Sequence, residues 1–421
     1  MRGDRSGVAE RRMTLLGLYA MVASVVLLQR LALPPSQVAL SLLLVIGGFL
    51  FLLLSGALVE DRVRIGLYLL AMTFCLAAAV GSFVLTEGAS FFSLLLLAVL
   101  YAPFSYVLRP PLLDLYPKIV EFFCKLMVVG ALLAIGQWVA QVSGAWTYTD
   151  LMEVLPKQFL LQDYNTTYPL YYGSPIMKSN GVIFLEPSFC SQFLALAVIA
   201  QLVMGGKRWR LPLYVGGILA TISGTGLLLL AFGLTVLAWR RGALWSFGVL
   251  AATLVAIAAV AVTPAGKLFA ERAQEARESQ SSVSLRFTDP FDRAFRDLGR
   301  GWSAPLVGHG PGFVEREAEV YQERTDLALA FPPVPKLATE YGLIAALAFT
   351  AFMITAFWSR TPEKTIAASL VFMHLTLSGS LLQPPTVYLA LLLASLFATI
   401  VPLRRFDPVP VPAFAAHRAT T

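Results

Sequence analysis

The sequence predicts an all-α polytopic membrane protein with about twelve transmembrane segments, both termini cytoplasmic and two extended outer loops. Three observations carry this. Hydrophobic residues make up 57% of the 421 and charged residues only 14%, at a mean hydropathy of +0.72, which no soluble core of this length needs. Apolar runs of about 17 to 25 residues recur along most of the chain. The tight connections near 34–36, 87–89, 223–226 and 382–385 hold no lysine or arginine, while the connections on the other side carry them, the asymmetry that orients short loops.

The elements follow in order. Residues 1–13 form a cytoplasmic tail with Arg2, Arg5, Arg11 and Arg12. The span behind it exceeds a secretory h-region, so it reads as an uncleaved anchor. Five helices occupy 14–142, the first outer loop 143–186, segments six to nine 187–263, the larger outer loop 264–335, segments ten to twelve 336–403, and a cytoplasmic tail 404–421. The stretch 211–239 is one long helix or two short ones turning at Ser223-Gly224-Thr225-Gly226. Only the broken form keeps Arg240 and Arg241 on the same side as Arg62, Arg64, Arg109, Lys118, Lys207, Arg208, Arg210, Arg360 and Lys364. The net charge of +7 is therefore a topology signal and not a nucleic-acid footprint. Cys75, Cys124 and Cys190 lie in or at spans and read as small buried hydrophobes.

Both outer loops carry structure. In "TDPFDRAFRDLGRGW", Asp289 can cap, Pro290 suits the first helical position, and Phe291, Ala294, Phe295 and Leu298 form an apolar stripe ended by Gly299. Asp289–Arg293, Asp292–Arg296 and Arg293–Asp297 stand at i,i+4 spacing, giving a self-neutralised solvated face. Arg286 has no such acidic neighbour and is the arginine most available to a ligand. The first loop is dense in aromatics, including Tyr164, Tyr171 and Tyr172. An interfacial belt accounts for such rings, and so does a sugar-binding surface, because flat amphipathic rings pack on sugar faces.

Four motifs stand in register: "KSNGVIFLEPSFCSQFLA", "TISGTGLLLL", "PLVGHGPGF" and "PKLATEYGLIAALAF". Together, over about residues 150 to 358, they resemble the O-antigen polymerase and ligase (Wzy-type) family of bacterial envelope glycosyltransferases. The resemblance implies a GT-C-like fold in the inner membrane with a periplasmic active site. The reaction it implies is attack by an acceptor hydroxyl on a sugar whose leaving group is polyprenyl pyrophosphate. Donor and acceptor would both be lipid-linked oligosaccharides, and a chain-length regulator and export machinery would be partners.

On that reading Lys178 and Arg286 are the cations that meet the growing pyrophosphate charge. The family usually has arginine where this chain has Lys178, so charge is kept and bidentate geometry lost. Glu186 is either the general base that receives the acceptor proton or an N-terminal helix cap. Glu340 reads as a cap or packing partner, His309 as a turn residue, and His374 as a hydrogen-bonded buried histidine. Asn180 and Gln192 are sugar contacts or helix-interface hydrogen bonders. With no Asp-x-Asp pair or His/Cys/carboxylate cluster in the outer loops, the expected mechanism needs no metal or other cofactor. Ligases resemble one another in a His-Asn-type pair about nine residues before Glu-x-Gly. Phe331 and Pro332 stand there instead, which favours a polymerase of exopolysaccharide, capsule or O-antigen over a ligase. A transporter or lipid-linked sugar flippase is the alternative class. The carrier-like echo in "GALVEDRVR" fails at Ala57 and Arg64, where such carriers have glycine.

Overall fold

Inside a bilayer a backbone amide has no water to bond, so spanning segments become helices, and helices are what the chain forms. A computed structural model describes residues 2–35, 37–86, 88–162, 164–170, 174–242, 288–299, 301–325, 330–377 and 381–400. The helices are α1 (Arg2–Leu27), α2 (Leu40–Leu54), α3 (Arg62–Thr86), α4 (Phe91–Tyr101), α5 (Tyr116–Val142), α6 (Pro187–Met204), α7 (Arg210–Thr221) and α8 (Gly224–Arg241). After them come α9 (Asp289–Leu298), α10 (Ala304–Val307), α11 (Phe313–Thr325), α12 (Pro333–Trp358), α13 (Lys364–Phe372) and α14 (Pro384–Leu393). Two short antiparallel pairs, β1 (Ala32–Leu33) with β2 (Val38–Ala39) and β3 (Leu58–Glu60) with β4 (Tyr106–Leu108), tie connections together.

Among the described residues, Arg62–Leu85, Pro110–Val142, Pro187–Met204 and Pro333–Trp358 are long and apolar enough to cross a membrane. Leu40–Leu54, Phe91–Ser105, Lys364–Leu377 and Pro384–Phe397 are shorter apolar helices. The span expected at 243–263 and the tail at 404–421 lie outside the described residues. Residues of the expected tail are already helical, since α1 runs from Arg2. Its charged turn is held to the connection before α5: Arg11 pairs with Asp114, and Arg109 with Glu10 at 3.1 Å.

The centre of the bundle is α6, whose residues from Pro187 to Gln201 are all buried. Pro187 opens it with its ring at a position that needs no N–H, and Gly205 stops it in the left-handed conformation, φ 67°. Helices α5, α7, α8 and α13 surround it. The expected break is present. Helix α7 ends at Ile222 in the left-handed region, φ 46°, and α8 runs back along α6. Ala220 O near the top of α7 accepts from Ser179 N at 3.3 Å, and Ser191 Oγ near the start of α6 donates to Ser223 O at 3.4 Å. At the other end Arg241 Nη2 donates to Leu202 O at 3.0 Å, and Arg210 clasps Glu121 through two 2.9 Å bonds. The basic residues on either side of the hairpin therefore share one end of α6.

That end is stitched further by charge. Asp61 is buried, accepts from the N–H groups of Val63 and Arg64, and takes a 2.6 Å bond from Arg360. Arg64, fully buried, donates to Ser395 Oγ at 2.8 Å and to Ser359 O at 3.2 Å. The carrier-like echo is thus a structural clamp joining the ends of α3, α12 and α14.

Of the two glycines at the turn of the hairpin, one has no room for a side chain. A Cβ on Gly226 would stand 1.8 Å from Ser191 Oγ and 2.6 Å from the Ser191 backbone, whereas Gly224 faces open space. Gly226→Ala should therefore lose about 1–3 kcal/mol, the usual cost of overpacking, seen as a lowered melting temperature of the detergent-solubilised protein. Gly224→Ala should melt like the parent, and equal losses would contradict this packing.

Candidate active site

The segment 177–186 lies between α5, α7 and the turn that follows α1, and all three supply its hydrogen bonds. Gln137 Oε1 on α5 accepts from Ser179 Oγ at 2.8 Å and Gly181 N at 2.9 Å. One turn on, Gln141 brackets Met177, accepting from its N at 2.8 Å and donating to its O at 3.2 Å. Gly181 and Val182 both take positive φ, 61° and 66°. For a β-branched residue this conformation costs of the order of 1–3 kcal/mol and persists only where the surroundings over-determine it. Here they do. Asn180 Oδ1 accepts from Val182 N at 3.0 Å, and Arg30 Nη1 donates to Val182 O at 3.1 Å.

Arg30 is itself fixed by the first outer loop. Its guanidinium grips Asp150 side-on, both side chains being almost wholly buried, with a 2.7 Å bond to Oδ1 and a second to Oδ2. Asp150 also accepts from Met152 N and Thr166 Oγ1, each at 3.0 Å. Burial alone would push the Asp150 carboxyl up, but Arg30 and the other two donors outweigh it and hold the carboxyl below the usual range.

A second site is built where the glycine motif meets α12. Gly342, φ 76° and ψ 173°, kinks α12, and the break frees two carbonyls of the preceding turn. Thr339 O accepts from His309 N at 2.8 Å and Glu340 O from Gly310 N at 3.0 Å. A Cβ on Gly308 would lie 2.5 Å from the Glu340 carbonyl, and one on Gly342 2.6 Å from the Leu306 carbonyl, so α10 and the kink interlock only as glycine. The buried Glu340 carboxylate accepts from Gly312 N and Val314 N, each at 3.1 Å, capping α11. Lys336, also buried, lies 3.7 Å from Glu340 and pairs with Glu315. His309 stacks on Phe313 at 4.7 Å, with Nε2 3.3 Å from Asp297 O.

The expected site residues are distributed as follows. Lys178 is half-buried, with its N bonded to Tyr168 O at 2.8 Å and its ammonium 5.7 Å from the Tyr168 ring. Glu186 is half-buried at the cap position of α6, yet its side chain makes no capping bond to α6 and accepts from Ser188 Oγ at 3.0 Å. Tyr164 meets Phe189 edge-on at 6.3 Å, one turn into α6 from Glu186. Asn180 is buried, with its amide bonded within its own turn, to Val182 N and to Phe184 O at 3.4 Å. Tyr171, Tyr172 and Arg286 lie outside the described residues. Arg293 holds its guanidinium 4.4 Å from the Tyr321 ring, a cation–π contact instead of the pairing within its helix read from the spacing.

Sequence reasoning missed Gln137, Gln141, Arg30, Asp150, Lys336 and Glu315. Two signals were present: two glutamines four apart in the last turns of an apolar span, and a lysine four before Glu340. Arg30 and Asp150 are 120 residues apart and carry no local signal.

A family model described as WcaD colanic acid polymerase matches residues 18–294, about two thirds of the chain. The match takes in the 177–186 segment and extends through the N-terminal helices, which read in sequence only as generic spans. No curated protein and no solved structure matches the chain.

Breaking the Arg30–Asp150 pair should loosen the Val182 turn. Asp150→Asn and Arg30→Met should each cost about 3–5 kcal/mol, since each leaves a buried partner uncompensated, and the double variant should cost less than their sum. Because the Asp150 carboxyl is depressed in the fold, its stabilisation is present at neutral pH. It fades as pH falls through the folded value, below about 3.9. Thermal melts of the four proteins check this, and additive losses would contradict the pairing.

Proposed function

The chain belongs to the WcaD colanic acid polymerase family, and on that premise we propose that it joins polyprenyl-pyrophosphate-linked oligosaccharide repeat units at the periplasmic face of the bacterial inner membrane. Family membership together with its long apolar helices makes it a polysaccharide polymerase of a membrane. The observation that carries the finer reading is the pinned turn at 177–186, which presents Lys178 and Glu186 on a backbone fixed from α5, α7 and the turn after α1.

In the proposed step a hydroxyl of the acceptor glycan attacks the anomeric carbon of the donor. The new carbon–oxygen bond forms as the bond to pyrophosphate breaks, and the electron pair leaves on the pyrophosphate. Lys178 and Arg286 neutralise that charge, each such donor being worth roughly 3 kcal/mol toward the transition state, so this step calls on no metal. The hydroxyl proton passes to Glu186, a role supported by a carboxylate that does not cap its own helix. Tyr164, Tyr171 and Tyr172 line the path of the glycan in this reading, whereas Asn180, buried with its amide bonded within its own turn, holds the Val182 turn in place of the sugar contact its position suggested. Phe331, where ligases resemble one another in a histidine, packs with Val314, Phe313 and Tyr321 in a small apolar cluster, which supports polymerase over ligase.

Polymer made in cells by single-residue variants tests the assignment. Lys178→Arg should keep much of the activity and Lys178→Ala should lose about two orders of magnitude. Glu186→Gln and Arg286→Ala should make almost no polymer at normal protein level, and Arg293→Ala should be mild. Near-parental polymer from Glu186→Gln would remove the general base, and equal loss from both arginine variants would remove Arg286's special standing.

A further inference from the structure

The amphipathic helix α9 does not bury the stripe that its spacing marks. Pro290, Ala294 and Asp297 face inward, and Leu298 is partly buried, but Phe291 and Phe295 point out, Phe295 with 72% of its surface exposed. Just beyond, Trp302 is 81% exposed and Leu306 on α10 is also exposed. Asp292 and Arg296 occupy the exposed side that follows the two phenylalanines around the helix. Four large apolar side chains in one short stretch are more than scattered surface hydrophobics.

Their surroundings say what covers them. From Pro333 to Gly342, α12 is buried apart from the half-buried Val334; from Leu343 onward it exposes Leu343, Ile344 and Leu347. The Leu306 carbonyl sits against Gly342, at that transition. On the other flank Val307 meets Gly81 of α3, next to exposed Val80, Phe83, Val84 and Leu85. Both α3 and α12 are long and apolar enough to cross a membrane. The exposed face of α9 and α10 therefore continues the surface that these two spans turn to lipid.

We propose that α9, the Trp302 turn and α10 form an interfacial wedge, with Phe291, Phe295, Trp302 and Leu306 entering the acyl region of the adjacent leaflet and Asp292 and Arg296 facing water. This arrangement has the physics of a helix lying in the membrane plane: an apolar flank in the acyl boundary, charges on the wet side and an indole at the interface. It also seats the glycine motif at a fixed depth, because α10 is locked into the kink of α12.

Cysteines introduced one at a time at Phe295, Trp302, Leu306, Leu347 and Glu317 test the wedge. The native cysteines are buried, so an added surface thiol can carry an environment-sensitive fluorophore, with unsubstituted protein as the blank. In proteoliposomes containing phospholipid with brominated acyl chains, the probes at 295, 302 and 306 should lose fluorescence as the lipid-facing 347 probe does. The 317 probe, on the exposed side of α11, should be quenched by aqueous iodide instead. Iodide quenching of the 295 and 302 probes without bromolipid quenching would overturn the proposal. So would disulfide formation between copies at position 295 in place of lipid quenching, which would make the face a contact between chains.

Discussion

Where the described residues leave a helix within the bundle, one constraint recurs: a backbone amide or carbonyl freed there must find a protein partner. The kink at Gly342 frees Thr339 O and Glu340 O, and the N–H groups of His309 and Gly310 meet them. The hairpin between α7 and α8 gives Ala220 O to Ser179 N and Ser223 O to Ser191 Oγ. Tyr101 takes up Leu381 O at 3.0 Å while lying 2.9 Å from Nε2 of His374, which sits in a π-helical turn. The glycine motif and Glu-x-Gly, two of the four motifs, are the two halves of one such repair.

The same logic extends to charge. Among the described residues, buried ions are held in pairs or triplets, most of which tie one element to another: Arg30 with Asp150, Arg64 and Arg360 with Asp61, Lys336 with Glu315 and Glu340. A buried pair is weak evidence for net stability but strong evidence for position, since separating it leaves a charge uncompensated. Lys178 and Glu186 are only half-buried. That is what the proposed chemistry asks of groups that meet a charged, mobile substrate.

Much of the helical layout was legible, because runs of apolar residues report spans directly. Helix α6 runs from Pro187 to Met204, within the apolar run that follows Glu186, and the Ser-Gly stretch after Ile222 reverses the chain. What could not be read was orientation around each helix. An apolar stripe can face core or lipid in such a chain, so the spacing of Phe291, Ala294, Phe295 and Leu298 did not say which way it turns, and Phe291 and Phe295 lie outward. Long-range polar contacts were equally opaque, since nothing near Arg30 announces Asp150. Glu340, read as a cap or a packing partner, is a cap, but of α11 and not of its own helix.

The central claim is that this polymerase joins whole repeat units on a lipid carrier. Its most direct test is the lipid-linked glycan that accumulates in a strain lacking the chain. The account predicts polyprenyl pyrophosphate bearing single repeat units; full-length polymer still attached to the lipid carrier would contradict it and assign the chain to the ligases.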